Sequence, residues 1–97
     1  MAAKFSLGQI VSTPGALQVL GEAGQRPEHF LALHASRSWG DLRAEDRKSN
    51  DQAIAHEGDL NRQQRVFSSY VTRNNVKLWI ITEWDQSVTT ILLPNEY

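Results

Sequence analysis

The sequence predicts an α+β domain with about three helices packed on one face of an antiparallel sheet of three or four strands, in the order β-α-α-α-β-β-β. Three observations carry this reading. Two stretches in the first third open on a proline and continue with apolar residues at helical spacing. From Arg65 onward the pattern changes to runs rich in β-branched and aromatic residues. Those runs are joined by short turn signals, which force successive strands to lie antiparallel.

Taken in order, Phe5–Val11 reads as a short extended piece, a candidate fourth strand. Ser12-Thr13-Pro14 places a hydroxyl cap before a proline at the first helical position. The helix that follows carries Ala16, Leu17, Leu20 and Ala23 and is expected to end near Gly21–Gly24. Arg26-Pro27-Glu28 opens a second helix, with an acid in its first turn and Phe30, Leu31, Leu33 and Ala35 as its apolar face. A break follows, containing Trp39-Gly40-Asp41. A third helix is expected from about Ala44 to Glu57, stopping at Gly58. It is polar apart from Ala53, Ile54 and Ala55, so its packing face is weak.

The strands are expected at Val66–Thr72, Lys77–Trp84 and Val88–Leu93, with turns at Arg73-Asn74-Asn75 and Asp85-Gln86-Ser87. The middle strand is apolar on both faces, which suits a central position. Side-chain alternation puts Trp79 and Ile81 on one face and Leu78 and Ile80 on the other. Leu17, Leu20, Phe30 and Leu33 are expected to cover one of those faces.

At 97 residues the chain has room for one core and no second domain. It contains no cysteine, which excludes disulfides, thiolate metal sites and thiol catalysis. Met1–Phe5 has no apolar run of signal length, and no segment approaches the length of a membrane span. The expectation is a cytoplasmic protein with no membrane partner. Net charge is −1, although eight of the ten Lys and Arg residues lie between Arg37 and Lys77. Asp41, Glu45, Asp46, Asp51, Glu57 and Asp59 largely cancel that basic stretch. Tight nucleic-acid binding through Arg43, Arg47, Lys48, Arg62 and Arg65 is therefore not expected.

No phosphate loop, dinucleotide fingerprint or nucleophile elbow is present. His29 and His34 are five apart, which does not place them on one helix face, and His56 stands alone. No metal site and no cofactor are expected. Three clusters could still carry function. His34 at a helix end beside Trp39-Gly40-Asp41 could line a pocket. The simpler reading has His34 bonding a nearby carbonyl and Trp39 anchoring the break. Asp46, Asn50, Ala53 and Ile54 share one face of the third helix, where Asn50 either bonds an inward loop or joins a polar site. The hairpin from Thr82 to Thr90 is dense in carboxylates and hydroxyls, which suits either tight-turn formation or acid–base and cation chemistry. Glu83 interrupts an apolar strand there, with Ser87, Thr89 and Arg65 as its expected partners. The candidate surface is thus His34, Trp39, Arg65, Thr82, Glu83, Asp85, Ser87 and Thr89, gathered at one end of the domain.

The residues Leu7–Val11 and Thr13–Leu17, the His34…Trp39-Gly40-Asp41 cluster, the run Trp79-Ile80-Ile81-Thr82-Glu83-x-Asp85-x-Ser87-x-Thr89-Thr90 and the ending Leu92-Leu93-Pro94-x-Glu96-Tyr97 resemble a family of small bacterial proteins. Members are encoded on plasmids and integrative elements. They are labelled "plasmid-related" or, misleadingly, as a type I restriction–modification subunit. This chain lacks the length and motifs of a methyltransferase. The resemblance spans nearly the whole chain and supplies no catalytic residues. It implies a bacterial, cytoplasmic protein with an accessory role on mobile DNA.

Two function classes follow. The first is a non-enzymatic interaction protein that docks a protein or nucleoprotein partner, with an anti-defence role as one version and a homodimer compatible with its size. The second is a small nuclease-like or toxin-like domain using His34, Arg65, Tyr70 and Thr82. A DNA-binding regulator working through the third helix is a further alternative, which the balanced charge disfavours.

Overall fold

The computed structural model describes residues 7–36, 38–40, 42, 44–55 and 65–97, with the backbone alone for 52–55. Its elements are β1 (Gln9–Ser12), α1 (Pro14–Ala23), α2 (Pro27–Ala35), α3 (Ala44–Ala55), β2 (Val66–Val71), β3 (Lys77–Thr82) and β4 (Val88–Leu92), then a 3-10 turn at Pro94–Glu96. The expected α+β order is present. Asp41, Arg43, His56, Glu57, Gly58, Asp59 and Arg62, all invoked above, lie outside the described residues, as does Phe5.

The sheet has strand order β1-β4-β3-β2. The β2–β3 and β3–β4 pairs are antiparallel, as short turns require. The pairing of β1 corrects the expected all-antiparallel sheet: β1 runs parallel to β4, with Gln9 opposite Val88 and Ser12 opposite Ile91. A tight turn fixes direction only between strands that follow one another. Nearly the whole chain separates β1 from β4, so no turn constrains this pair, and the sheet is mixed.

Alternation on the strands builds two unlike faces. Tyr70, Leu78, Ile80 and Ile91 meet Ala16 and Leu20 of α1 and Phe30 of α2 in the main core. At the expected α1 start, Thr13 Oγ1 accepts from Ala16 N at 3.2 Å. Leu20 is buried as expected, but Leu17 is 52% exposed. The buried line of α1 is Ala16, Leu20, Ala23, and Leu17 sits about 100° round the helix from Ala16.

The third helix is not stacked on that face with the other two. It lies along the outer edge of β2, where the Asn50 side-chain amide behaves like a neighbouring strand. Phe67 N donates to Asn50 Oδ1 at 2.9 Å, and Asn50 Nδ2 donates back to the Phe67 carbonyl. Two residues further on, Ser69 N donates to the Trp39 carbonyl at 3.1 Å, and Gly40 makes a parallel bridge to Ser69. Gly40 has φ +77°, and a Cβ built there would lie 1.8 Å from the Ser69 carbonyl oxygen. The chain can approach the strand this closely only without a side chain. Arg47 closes the loop from the helix side, donating to the carbonyls of Gly40 (2.6 Å) and Leu42 (3.0 Å). The exposed strand edge, ordinarily an aggregation hazard, is thereby occupied.

Candidate functional site

The helix-covered face of the sheet contains a chain of buried polar groups. His34 projects from α2 onto β2 and β3 and is 0% exposed, as are Ser68, Thr82 and Thr89. Ser68 Oγ lies 2.6 Å from His34 Nδ1, and Thr82 Oγ1 lies 3.0 Å from His34 Nε2. Thr82 Oγ1 is 2.7 Å from Thr89 Oγ1, and Thr89 Oγ1 donates to the Leu7 carbonyl at 2.7 Å.

The last bond fixes the direction of the two that lead back to His34 Nε2. A carbonyl only accepts, so Thr89 uses its single hydroxyl proton on Leu7. Thr82 must then donate to Thr89, and His34 Nε2–H to Thr82. Full burial keeps the ring neutral, so Nδ1 carries no proton and accepts from Ser68 Oγ. His34 is therefore the neutral Nε2–H tautomer, and burial pushes its pKa down to about 3. Trp39 closes this end of the core, 3% exposed, with its ring edge-on to the imidazole at 5.6 Å. Tyr70 stays on the same face: its hydroxyl donates to the Ser38 carbonyl at 2.7 Å, and burial raises its pKa to about 12.

Ser68 and His34 have the spacing of a nucleophile and its base. Yet no substrate atom can reach Ser68 Oγ without opening the core. The arrangement ties α2 to three strands and satisfies groups that would otherwise be buried at a cost.

The opposite face is open. There Phe67 and Trp79 pack edge to face at 5.0 Å, and Trp79 meets Tyr97 at 5.9 Å. The Arg65 guanidinium lies over Phe67 at 5.2 Å and over Tyr97 at 6.0 Å, a cation–π sandwich. Ile81 and Leu92 are buried beneath these rings, while Tyr97 is 72% exposed. Arg65 borders three depressions, one of them of about 200 Å³ against α3 with Asp46, Ser49, Asn50 and Phe67, and two more with the residues of the sheet. One of these two, of about 200 Å³, includes Ile81, Glu83, Leu92, Glu96 and Tyr97. The other, of about 430 Å³, includes Leu42, Asp46, Ser69, Lys77 and Trp79.

The eight candidate residues are therefore divided. His34, Trp39, Thr82 and Thr89 come together inside the helix-covered face. Arg65 and Glu83 lie on the solvent side, and Glu83 is exposed to water. Asp85 and Ser87 are exposed on the β3–β4 turn and bond each other: Asp85 Oδ1 accepts from Ser87 N at 3.1 Å and from Ser87 Oγ at 2.7 Å. Those bonds, the hydroxyl first, hold the Asp85 carboxyl below the usual carboxylate range. Ser87 thus serves the turn and Thr89 points into the core, so neither partners Glu83 as expected.

The groups of the open face were not singled out from the sequence as a set. The available signal was the Ser68-Ser69 pair inside an otherwise apolar strand, which breaks the pattern on both faces at once. Among the described residues no group of three or more His, Asp or Glu side chains could hold a metal ion. No described helix is long and apolar enough to cross a membrane.

No family model, curated protein or solved structure matches the chain.

Proposed function

We propose that the chain is a non-enzymatic accessory protein of a bacterial mobile genetic element, working in the cytoplasm by docking a protein or nucleoprotein partner on the open sheet face. The setting rests on the sequence resemblance. The docking reading rests on one observation: an arginine held between two aromatic rings, with a third aromatic beside them, on a face left open to water. Aromatic residues and arginine dominate the energetics of protein interfaces, because they are large and lose little freedom on binding. The nuclease-like alternative needs His34 and Thr82 at the surface, and both are fully buried. A regulator reading DNA with α3 would need Arg47, which is engaged with the Gly40 and Leu42 carbonyls.

The test is photocrosslinking in the bacterial host. A benzophenone amino acid at position 97 should give a discrete protein adduct, and the same group at Leu17, exposed on the far side of the sheet, should not. Adducts from position 17 alone would move the docking surface to the helices. RNA cleavage by the purified protein would replace docking with catalysis.

A further inference from the structure

The larger depression on the open face contains a group that the fold itself does not explain. Ser69 is 4% exposed, and its hydroxyl has no hydrogen-bond partner among the described residues. Ser68, its neighbour, is fully engaged on the other face. A desolvated hydroxyl without a partner is a standing cost to the folded state, and such a group calls for an explanation. Ser69 is one of the residues that line a cleft between α3 and the sheet. Arg65 and Lys77 bring positive charge to it, and Phe67 and Trp79 bring apolar ring surface.

We propose that this cleft receives an acidic side chain from a peptide segment of the docked protein, with a neighbouring apolar residue of that segment lying against Phe67 and Trp79. The proposal rests on the docking reading and names the chemistry of its partner. Ser69 Oγ donates to the carboxylate, and Arg65, oriented by its stacking on Phe67 and Tyr97, supplies the charge. Strand addition is not the mode of recognition at this place. The outward backbone groups of Phe67 are taken by Asn50, and Ser69 N by the Trp39 carbonyl. A polyanion is disfavoured, because Asp46 borders the same cleft and Glu83 and Glu96 lie on the other side of Arg65. A single localised carboxylate avoids those three acids, whereas a run of phosphates does not.

The experiment pans the full chain against a phage-displayed random dodecapeptide library. Enriched sequences are then synthesised and their affinities measured by fluorescence anisotropy. Enrichment of Asp or Glu beside Phe, Trp or Leu is expected. Ser69→Ala should weaken those peptides about tenfold or more, the loss that follows from one hydrogen bond to a charged group. It should leave the thermal midpoint unchanged or raised, since it removes an unsatisfied hydroxyl. Arg65→Gln should weaken binding at least as much. Replacing the peptide's acid with its amide should abolish the difference between wild type and Ser69→Ala. Failure to enrich any acidic motif overturns the proposal, as does wild-type affinity in Ser69→Ala. If position 97 still crosslinks a protein in the host under either result, the docking reading stands and only the cleft assignment falls. Binding of a uridine 12-mer RNA with steep salt dependence, without peptide binding, overturns both.

Discussion

Protonating His34 should unfold this protein, and the size of the effect follows from its burial. The imidazole is fully buried and neutral, with its pKa lowered from 6.5 to about 3. Between those values the unfolded chain binds a proton that the folded chain refuses, so stability rises with pH through this window. It is fully present above about pH 6.5 and is lost progressively as pH falls toward 3. One pKa unit corresponds to about 1.4 kcal/mol. From pH 7.5 to pH 5 the loss is about 2 kcal/mol, reaching about 3 kcal/mol at pH 4, with a limit of roughly 5 kcal/mol below pH 3. A total stability of about 5 kcal/mol, the lower end of the usual range, would be nearly consumed by this single group. The control is His34→Gln, which keeps an amide donor and acceptor but cannot titrate. It should be less stable than wild type at pH 7.5 by about 1–3 kcal/mol, because one arm of the network goes unmade. Its stability should then fall less steeply, and the gap between the two proteins should close by about 2 kcal/mol at pH 5. Urea denaturation followed by tryptophan fluorescence at both pH values measures the gap. Other titrating groups are common to both proteins and cancel. If the two curves run parallel between pH 7.5 and 5, His34 is not held neutral by the core and the tautomer argument fails.

Three further outcomes are expected. Asn50→Leu removes the amide that pairs with Phe67 and should cost about 1–3 kcal/mol for the two stranded backbone groups; concentration-dependent light scattering should rise as the β2 edge opens, and an unchanged urea midpoint would show that the edge is held by other means. Gly40→Ala forces a Cβ against the Ser69 carbonyl at a positive φ, so it should destabilise by more than the roughly 1 kcal/mol that simple loss of αL freedom would give; hydrogen exchange should report early loss of protection at Ser69 N. Glu96 accepts from Thr13 Oγ1 at 2.6 Å and from Leu93 N at 2.8 Å, which hold its carboxyl below the usual range; its stabilising effect is present above the ordinary carboxylate pKa and is lost as pH falls through the depressed one, so NMR titration should find Glu96 among the most acidic glutamates and Thr13→Val should restore a more ordinary value.

What could be read from the sequence was local. The α1 cap, the three meander strands and the Asp85–Ser87 turn depend on residues a few positions apart, and each lies where the pattern placed it. Trp39 packs at the break as expected. Asn50 does reach an inward backbone group, that of β2. What could not be read depends on distance along the chain. The partners of His34 are 34 and 48 residues away, so the helix-end position suggested a nearby carbonyl instead. The direction of β1 is set by β4, at the other end of the described chain. Leu17 looked like core because apolar residues at adjacent positions of a short helix do not show which of them faces inward. The open-face cluster joins Arg65, Phe67, Trp79 and Tyr97 from three separate segments, and no local spacing connects them.

The parallel β1–β4 pair also orders events in folding. Thr13 and Glu96 are bonded across 83 positions, and Thr13 N also donates to the Ile91 carbonyl. Hairpins β2–β3 and β3–β4 can form through short loops, whereas β1 can dock only after a loop spanning most of the chain has closed. During synthesis on the ribosome, β1 and the start of α1 emerge before the other three strands and wait for β4 as a partner. Ile10 and Val11, adjacent apolar residues of β1, would remain available to other chains throughout that interval. The later arrival of β4 pairs the β1 backbone, while Ile10 and Val11 stay 43% and 38% exposed, so a delay in making the β4 segment would present itself as aggregation through the unpaired β1 strand.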